Sequence, residues 1–252
     1  MGVEYIKDGK IATFRLNNPQ RMNALDLIAL NEFYRALLDF QDDDKLWVGI
    51  VTGTGEEAFC SGIDIIGTLN KTRNSQSFPP TFMKGLEIVK PLIASVNGLA
   101  LGGGFEIVLA CDIRLASENA SFGLPEVQLG YLPNWGGTQR LARQISFCHA
   151  SEILLTGKPI NAQDAYRMGL LNRVVPKDNL SSVATEWAEN ICDASPLAVR
   201  AIKEAMLKGA DISLAEGLNL ESALATYLSK TGDYKEGILS FREKRKPLFT
   251  AH

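Results

Sequence analysis

Two short strand-forming runs open the chain, Val3 to Lys7 and Lys10 to Leu16, on either side of Asp8-Gly9, a pair that supplies positive φ for a tight turn; the pattern predicts a β-hairpin. From Asp26 the period changes: Leu30, Phe33, Leu37 and Phe40 recur at helical spacing behind an acid able to cap free backbone N–H groups, and the helix should end in the acidic run Asp42 to Asp44. Trp47 to Thr52 is a short β-branched apolar run before Gly53-Thr54-Gly55, and Pro91 to Val96 is a similar run before another glycine cluster. Strand, strand and helix thus recur as a loose unit, and buried strands joined by crossover helices imply mixed or parallel sheets in an α/β fold. The polar, aperiodic stretch from Leu69 to Pro80 reads as a surface loop. After Pro176 four helices are expected, Ser181 to Cys192, Pro196 to Lys208, Ser213 to Leu228 and Tyr234 to Lys244, whose apolar faces need the core or another subunit as partner.

A chain of 252 residues, 46% hydrophobic and 22% charged, fits one large domain, or a domain with a smaller appendage, and argues against disorder and against a membrane protein. The 26 Lys plus Arg against 29 Asp plus Glu leave a net charge of -3, so no broad basic field is available for nucleic acid or anionic lipid. The longest apolar stretch, Pro91 to Phe105, is broken by Asn97 and four glycines and is too short for a membrane span. With two histidines, His149 and His252, a multi-histidine metal site is excluded within one chain. Cys60, Cys111, Cys148 and Cys192 form no C-x-x-C pair and are expected as buried free thiols in a reducing compartment. The N-terminus lacks the apolar core of a signal peptide and the C-terminus carries no lipidation or targeting address, which leaves the cytoplasm as the expected location.

Four features carry candidate chemistry. Gly53 to Ala58 fits the relaxed dinucleotide pattern G-x-G-x-x-A, yet no helix-opening period follows, and a plain turn is the better reading. The basic run Arg242 to Lys246 is either a solvated helix face or a phosphate site. In NGLALGGGFE (Asn97 to Glu106), three adjacent glycines either serve close packing or let backbone amides at a helix start approach a developing negative charge. Glu106 is either a dipole-favoured first-turn acid or a functional one; Glu126, after Pro125 and among apolar neighbours, is either a turn residue or a desolvated carboxyl. Two carboxyls beside an amide-lined pocket make an acid–base pair suited to chemistry at a carbon next to a carbonyl.

On four ordered segments, AFCSGIDI (Ala58 to Ile65), NGLALGGGFE, FGLPEVQLGYLPNWGGTQRL (Phe122 to Leu141) and KEGILSFREKRKPLF near the C-terminus, the chain resembles the crotonase (enoyl-CoA hydratase/isomerase) superfamily, essentially end to end. The resemblance implies a crotonase-like spiral of strand-strand-helix units over residues 1–194 and a helical part over 195–252 that builds trimers, commonly paired into hexamers. It implies that the amides of Ile63 and Gly103 bind the thioester oxygen, with Gly102 beside them. Glu106 would activate water for attack at Cβ and Glu126 would protonate Cα. The coenzyme A part of the substrate would lie along Arg21, Met22, Ala24, Ser61, Asp64 and Ile65, with Lys244 reaching its phosphates from the same or a neighbouring subunit. No metal, nucleotide or redox cofactor is implied; coenzyme A arrives within the acyl-CoA substrate.

The chain departs from many family hydratases at Asn134 and Trp135, between Pro133 and Gly136-Gly137, where a small residue is usual. Trp135 then either narrows the acyl pocket or stacks on a ring, and Asn134 either donates to water or to a polar acyl group or is a surface turn. The reading that follows is reversible hydration of a 2-enoyl-CoA. Double-bond isomerisation, decarboxylation and thioester hydrolysis are the alternatives on the same fold, and an acyl-CoA-binding module without turnover is the non-enzymatic one.

Overall fold

A computed structural model describes residues 2–64 and 78–252. Residues 69–77 of the expected loop, and Ile65, lie outside the described residues. The hairpin is present as β1 (Val3–Asp8) and β2 (Ile11–Leu16), paired antiparallel. Its turn is displaced by one residue from expectation. Asp8 is paired with Ile11, so the two turn residues are Gly9 and Lys10, and Gly9 alone takes the left-handed conformation at φ +55°. Helix α1 (Leu27–Asp42) begins where expected, with the Asp26 side chain accepting from Ala29 N–H, and it buries Leu30, Phe33, Leu37 and Phe40.

The remaining strands come in pairs of unequal length. β3 (Val48–Gly53) is followed by β4 (Ala58–Cys60), β5 (Leu92–Val96) by β6 (Leu99–Leu101), and β7 (Ile113–Ser117) by β8 (Ser121–Gly123). The longer members join β1, β2 and β10 (Arg173–Val175) in a six-stranded sheet of order β1-β2-β3-β5-β7-β10; the shorter ones join β9 (Ile160–Asn161) in a second sheet of order β4-β6-β8-β9. The second sheet repeats the order of the first because each chain segment turns one corner and runs on beside its predecessor. Among the described strands, only the β1–β2 and β8–β9 pairings are antiparallel. Mixed sheets were expected, but not that there are two: strands of three residues are too short to show a period.

Both faces of the first sheet are covered. Val48, Ile50, Ile93 and Leu115 pack against Leu180, Ala184 and Ala188 of α6 (Leu180–Cys192), while Val51, Ala94, Val96 and Ala116 face the main core with Phe14, Phe33 and Phe40. This is why these strands read as continuous apolar runs. The corners are held by two buried amides. Asn97 Nδ2 donates to the carbonyls of Gly55 (2.9 Å) and Ala58 (3.2 Å) while its Oδ1 accepts from Gly53 N–H; Asn23, itself left-handed at φ +56°, donates to Thr54 and Ala58 carbonyls. Gly53 to Ala58 is therefore the turn between β3 and β4, not a dinucleotide loop.

Helix α2 (Gly103–Ala110) follows β6 directly, and helices α3 (Gly137–Gln144), α4 (Phe147–Thr156) and α5 (Ala162–Arg167) complete the core region. The C-terminal part comprises α7 (Pro196–Gly209), α8 (Leu214–Leu228) and α9 (Gly232–Glu243), each within a residue or two of expectation. These helices leave Ile202, Met206, Leu207, Leu214, Leu218, Ile238 and Phe241 exposed. The cysteines depart from expectation at the surface: Cys60 and Cys111 are buried, with the thiols pushed up to about 12 by burial, but Cys148 is exposed and Cys192 half-buried. No described helix is long and apolar enough to cross a membrane.

Two substitutions test this packing. Gly104 lies against the Cys60 carbonyl, so that a Cβ there collides with backbone of β4; Gly104→Ala should lower unfolding free energy by about 3 kcal/mol, read from urea denaturation. Asn97→Ala removes the side-chain partner of the Gly53 N–H and the Gly55 carbonyl, while Ala58 keeps its bond from Asn23, and should cost about 1 kcal/mol or more by the same measurement.

Candidate active site

The glycine cluster has two distinct roles. Gly104 serves close packing, as above. Gly102 caps α2 in a conformation (φ +52°, ψ -124°) that other residues rarely adopt, and it turns the chain from β6 into the helix. Gly62, at φ +98°, faces it from the β4 side; a Cβ on Gly62 would stand 2.9 Å from the Leu101 carbonyl and 3.3 Å from the Gly103 nitrogen. The two segments therefore run in van der Waals contact, and the amides of Ile63 and Gly103 come from adjoining stretches of backbone. Neither has an acceptor among the described residues: Gly103 N–H is one of the orphaned donors at a helix start, and around Ile63 the bridge to Leu25 uses Gly62 O and Asp64 N instead. Two unpaired donors at the positive end of a helix suit an oxygen that gains negative charge.

Glu106 sits one turn into α2 and is 3% exposed. Its Oε1 accepts from Trp135 N–H (2.6 Å) and Gly137 N–H (2.8 Å), both in the segment leading into α3. The first-turn dipole reading thus falls short, since the carboxylate is engaged by a remote loop rather than by its own helix. Burial raises its pKa, and the Gly137 and Trp135 amides, then the charges of Arg140 and Lys84, oppose that rise.

Glu126 lies in the 3-10 turn Pro125–Leu129, where Pro125 starts the turn and Gly130 ends it in the left-handed region. Its Oε1 would stand 2.9 Å from a Cβ on Gly102, which puts the carboxylate over the start of α2, and its Oε2 is buried with no partner among the described residues. Burial raises its pKa, its own backbone N–H opposes this, and the neighbouring charge of Glu106 raises it further. The two carboxyls thus share one electrostatic environment and flank the same helix start.

Trp135 is buried at 6% exposure, and its ring lies on Gly103: a Cβ there would meet Cζ3 at 2.9 Å. Phe78 meets the same ring edge-on, with centroids 5.8 Å apart. Pro133 is buried beside it, whereas Asn134 is exposed and its Oδ1 accepts from Lys84 Nζ at 3.1 Å. Of the two readings for Asn134, the exposed turn matches this placement.

Arg21, Met22, Ala24, Ser61 and Asp64 lie around Gly62, while Ile65 is outside the described residues and Lys244 is at the end of α9. Ser61 N–H donates to the Met22 carbonyl, Leu25 N–H to the Gly62 carbonyl, and Arg21 pairs with Asp64 at 2.6 Å. Met22 is left-handed at φ +50°, and Ala24 N–H donates to the Arg21 carbonyl. Lys244 is the C-cap of α9 at φ +54°; in the basic run around it Arg245 is paired with Glu236 and Glu243. Sequence reasoning missed Asn23, Lys84 and Arg140. The first carried a readable signal, an Asn between Met22 and Ala24 able to hold a left-handed turn; the other two act through backbone carbonyls that no pattern marks.

The Enoyl-CoA hydratase/isomerase family model matches residues 7–252. The chain is similar to a short-chain-enoyl-CoA hydratase of Clostridium acetobutylicum (38% identical, covering 95% of this chain and 94% of that protein). It is equally similar to an (E)-benzylidenesuccinyl-CoA hydratase of Thauera aromatica (38%, 95% of each) and to a carnitinyl-CoA dehydratase of Proteus mirabilis (39%, 95% and 94%). Among solved structures, an enoyl-CoA hydratase from Bacillus anthracis superposes with a TM-score of 0.95 at 37% identity over the whole of both chains. With its paired sheets, its helix-start amides and its two desolvated carboxyls, the chain belongs to the enoyl-CoA hydratase/isomerase family of the crotonase fold.

Proposed function

We propose that the protein is a hydro-lyase that adds water reversibly across the 2,3 double bond of an acyl-CoA thioester. The observation that carries this reading is the placement of two desolvated carboxyls, Glu106 and Glu126, about a helix start whose neighbouring amides have no acceptor among the described residues. Water held by the free oxygen of Glu106 attacks Cβ and gives its proton to that carboxylate. The π pair moves through Cα onto the thioester oxygen, where the Ile63 and Gly103 amides stabilise the charge. Collapse of this enolate takes a proton from Glu126 onto Cα, so that one C–O and one C–H bond form and the C=C bond becomes single. Dehydration exchanges the roles. The reaction is redox-neutral and balanced by water alone, which is why no cofactor beyond the coenzyme A of the substrate is invoked.

The coenzyme is assigned to the cleft bordered by Arg21, Met22, Ala24, Ser61, Asp64 and Ile65, with Gly102 at its inner end and Lys244 at the phosphates; the Arg21–Asp64 pair supports the first part by fixing the rim. Pro133 and Trp135 are assigned to the acyl side, and Asn134 to its outer edge. The exposed apolar face of α7 to α9 supports a division into a core domain, 1–194, and a C-terminal oligomerisation domain, 195–252, that forms a trimer or hexamer. A cytoplasmic enzyme of fatty-acid or other acyl-CoA metabolism fits this chemistry.

Loss of conjugated-thioester absorbance with a gain of one water by mass, across short, branched and cyclic enoyl-CoAs, is the direct assay. Glu106→Gln and Glu126→Gln should each lower kcat by about 100-fold or more; a product of unchanged mass that persists in Glu106→Gln would instead identify an isomerase. The pH dependence follows from the two raised pKa values. Glu106 must be ionised and Glu126 protonated at the start of hydration, so kcat/KM should be bell-shaped. Its acid limb should lie above the ordinary glutamate value of about 4.3. Trp135→Ala should raise kcat/KM for enoyl-CoAs bulky at Cβ by about 10-fold relative to crotonyl-CoA; an unchanged ratio would remove Trp135 from the acyl pocket.

A further inference from the structure

The loop that holds Glu106 is itself held by one side chain. Between Pro133 and Gly137 the backbone turns so that the N–H groups of Trp135 and Gly137 point at Glu106 Oε1, a small anion-binding nest made possible by Gly136 at φ +104°. On the opposite side Arg140, from the first turn of α3, donates from Nη1 to the Trp135 carbonyl and from Nη2 to the Met83 carbonyl, both at 2.8 Å. The guanidinium thus joins two walls of the site, the 133–137 loop and the Phe82–Gly85 segment. Gly136 leaves room for it, since a Cβ at that position would overlap Nη1. Lys84 repeats the connection on the exposed side through Asn134, as a single ammonium in place of a fork.

We propose that Arg140 is a positioning residue for Glu106: its fork fixes the 133–137 loop so that two amides hold one carboxylate oxygen and leave the other aimed at the water. Arg140 touches neither the carboxylate nor the reacting atoms, and the inference rests on Glu106 acting as the base. Its charge contributes separately. The charged groups that act on Glu106 from the packed elements are Arg140 of α3, Lys84 of the 82–85 segment and Glu126 of the 3-10 turn. Arg140 favours the ionised base, so removing its charge must move the ionisation of Glu106 upward.

Arg140→Lys and Arg140→Gln separate geometry from charge, and Arg143→Gln, which removes an exposed charge one turn further along α3, serves as the control. An ammonium cannot bridge two carbonyls with the same fork, so Arg140→Lys should lower kcat for hydration by about 10-fold with the acid limb of the pH profile in place. Arg140→Gln should lower kcat by about 10- to 100-fold with KM changed by less than about threefold, and should shift the acid limb to higher pH. Arg143→Gln should leave both unchanged. A kcat within about twofold of wild type in Arg140→Gln, a loss confined to KM, or an acid limb that does not move overturns the inference. Should Arg140→Gln fail to fold, full kcat in Arg140→Lys overturns it alone. Wild-type protein that hydrates none of the enoyl-CoAs defeats the hydratase reading instead. In that case the Glu106 carboxylate band, isolated as the infrared difference between wild type and Glu106→Gln, still decides: its titration midpoint must rise in Arg140→Gln, and an unmoved midpoint overturns the inference.

Discussion

The site depends on one close approach of backbone to backbone, between Cys60–Gly62 at the end of β4 and Gly102–Gly104 at the start of α2. Nothing larger than hydrogen fits at Gly104, and Gly62 and Gly102 both need positive φ. The contact does more than close the core. It places the first free amide of a helix next to the amide of Ile63, so that two donors from distant parts of the sequence converge without any side chain between them. Around them the sheets, the caps and the two corner asparagines pair backbone groups, whereas these two amides have no acceptor among the described residues.

The carboxyls show how opposing terms are set against one another. Burial pushes the pKa of both upward. Glu106 recovers part of its acidity from two backbone N–H groups and two nearby cations, whereas Glu126 recovers part of its own from a single backbone N–H and has the charge of Glu106 beside it, which works the other way. The environment of Glu106 is thus built to receive a negative charge and that of Glu126 to resist one. That asymmetry supports the proposed roles, because a charge on Glu106 meets two backbone donors and two cations, whereas one on Glu126 meets a single N–H and the charge of Glu106.

Much of this was legible in the sequence, and the failures have physical causes. The long apolar runs and the spacing of Leu30 to Phe40 gave β3, β5 and α1 because burial on both faces of a sheet, or on one face of a helix, imposes a period. The second sheet was not legible, since three-residue strands impose none. The hairpin slipped by one residue because both Asp8-Gly9 and Gly9-Lys10 present a glycine able to turn, and the pairing of Val3 with Leu16 decides between them. Both carboxyls stood out by their neighbours, yet the donors to Glu106 did not: a bond from the backbone of Trp135 and Gly137 leaves no mark in residue identity. The bridging Arg140 is hidden for the same reason, as a polar side chain that serves carbonyls, whereas Asn23 could be read as a residue able to hold a left-handed turn.

The loop carrying Trp135 joins two functions that are separable in principle. Its backbone holds Glu106 through Trp135 and Gly137, and its side chain lies on Gly103, beside the two amides without an acceptor among the described residues. On the proposed placement of Trp135 at the acyl pocket, a change of side chain at position 135 alters that wall while leaving the amide in place, so acyl preference can vary without loss of the chemistry. The relatives fit such a division, for two hydratases named for short-chain-enoyl-CoA and (E)-benzylidenesuccinyl-CoA and a dehydratase named for carnitinyl-CoA all stand at 38–39% identity to this chain. In the proposed reaction the acyl group is then left to side chains that do not hold the machinery, and Trp135, whose backbone rather than its ring binds Glu106, is the candidate among them.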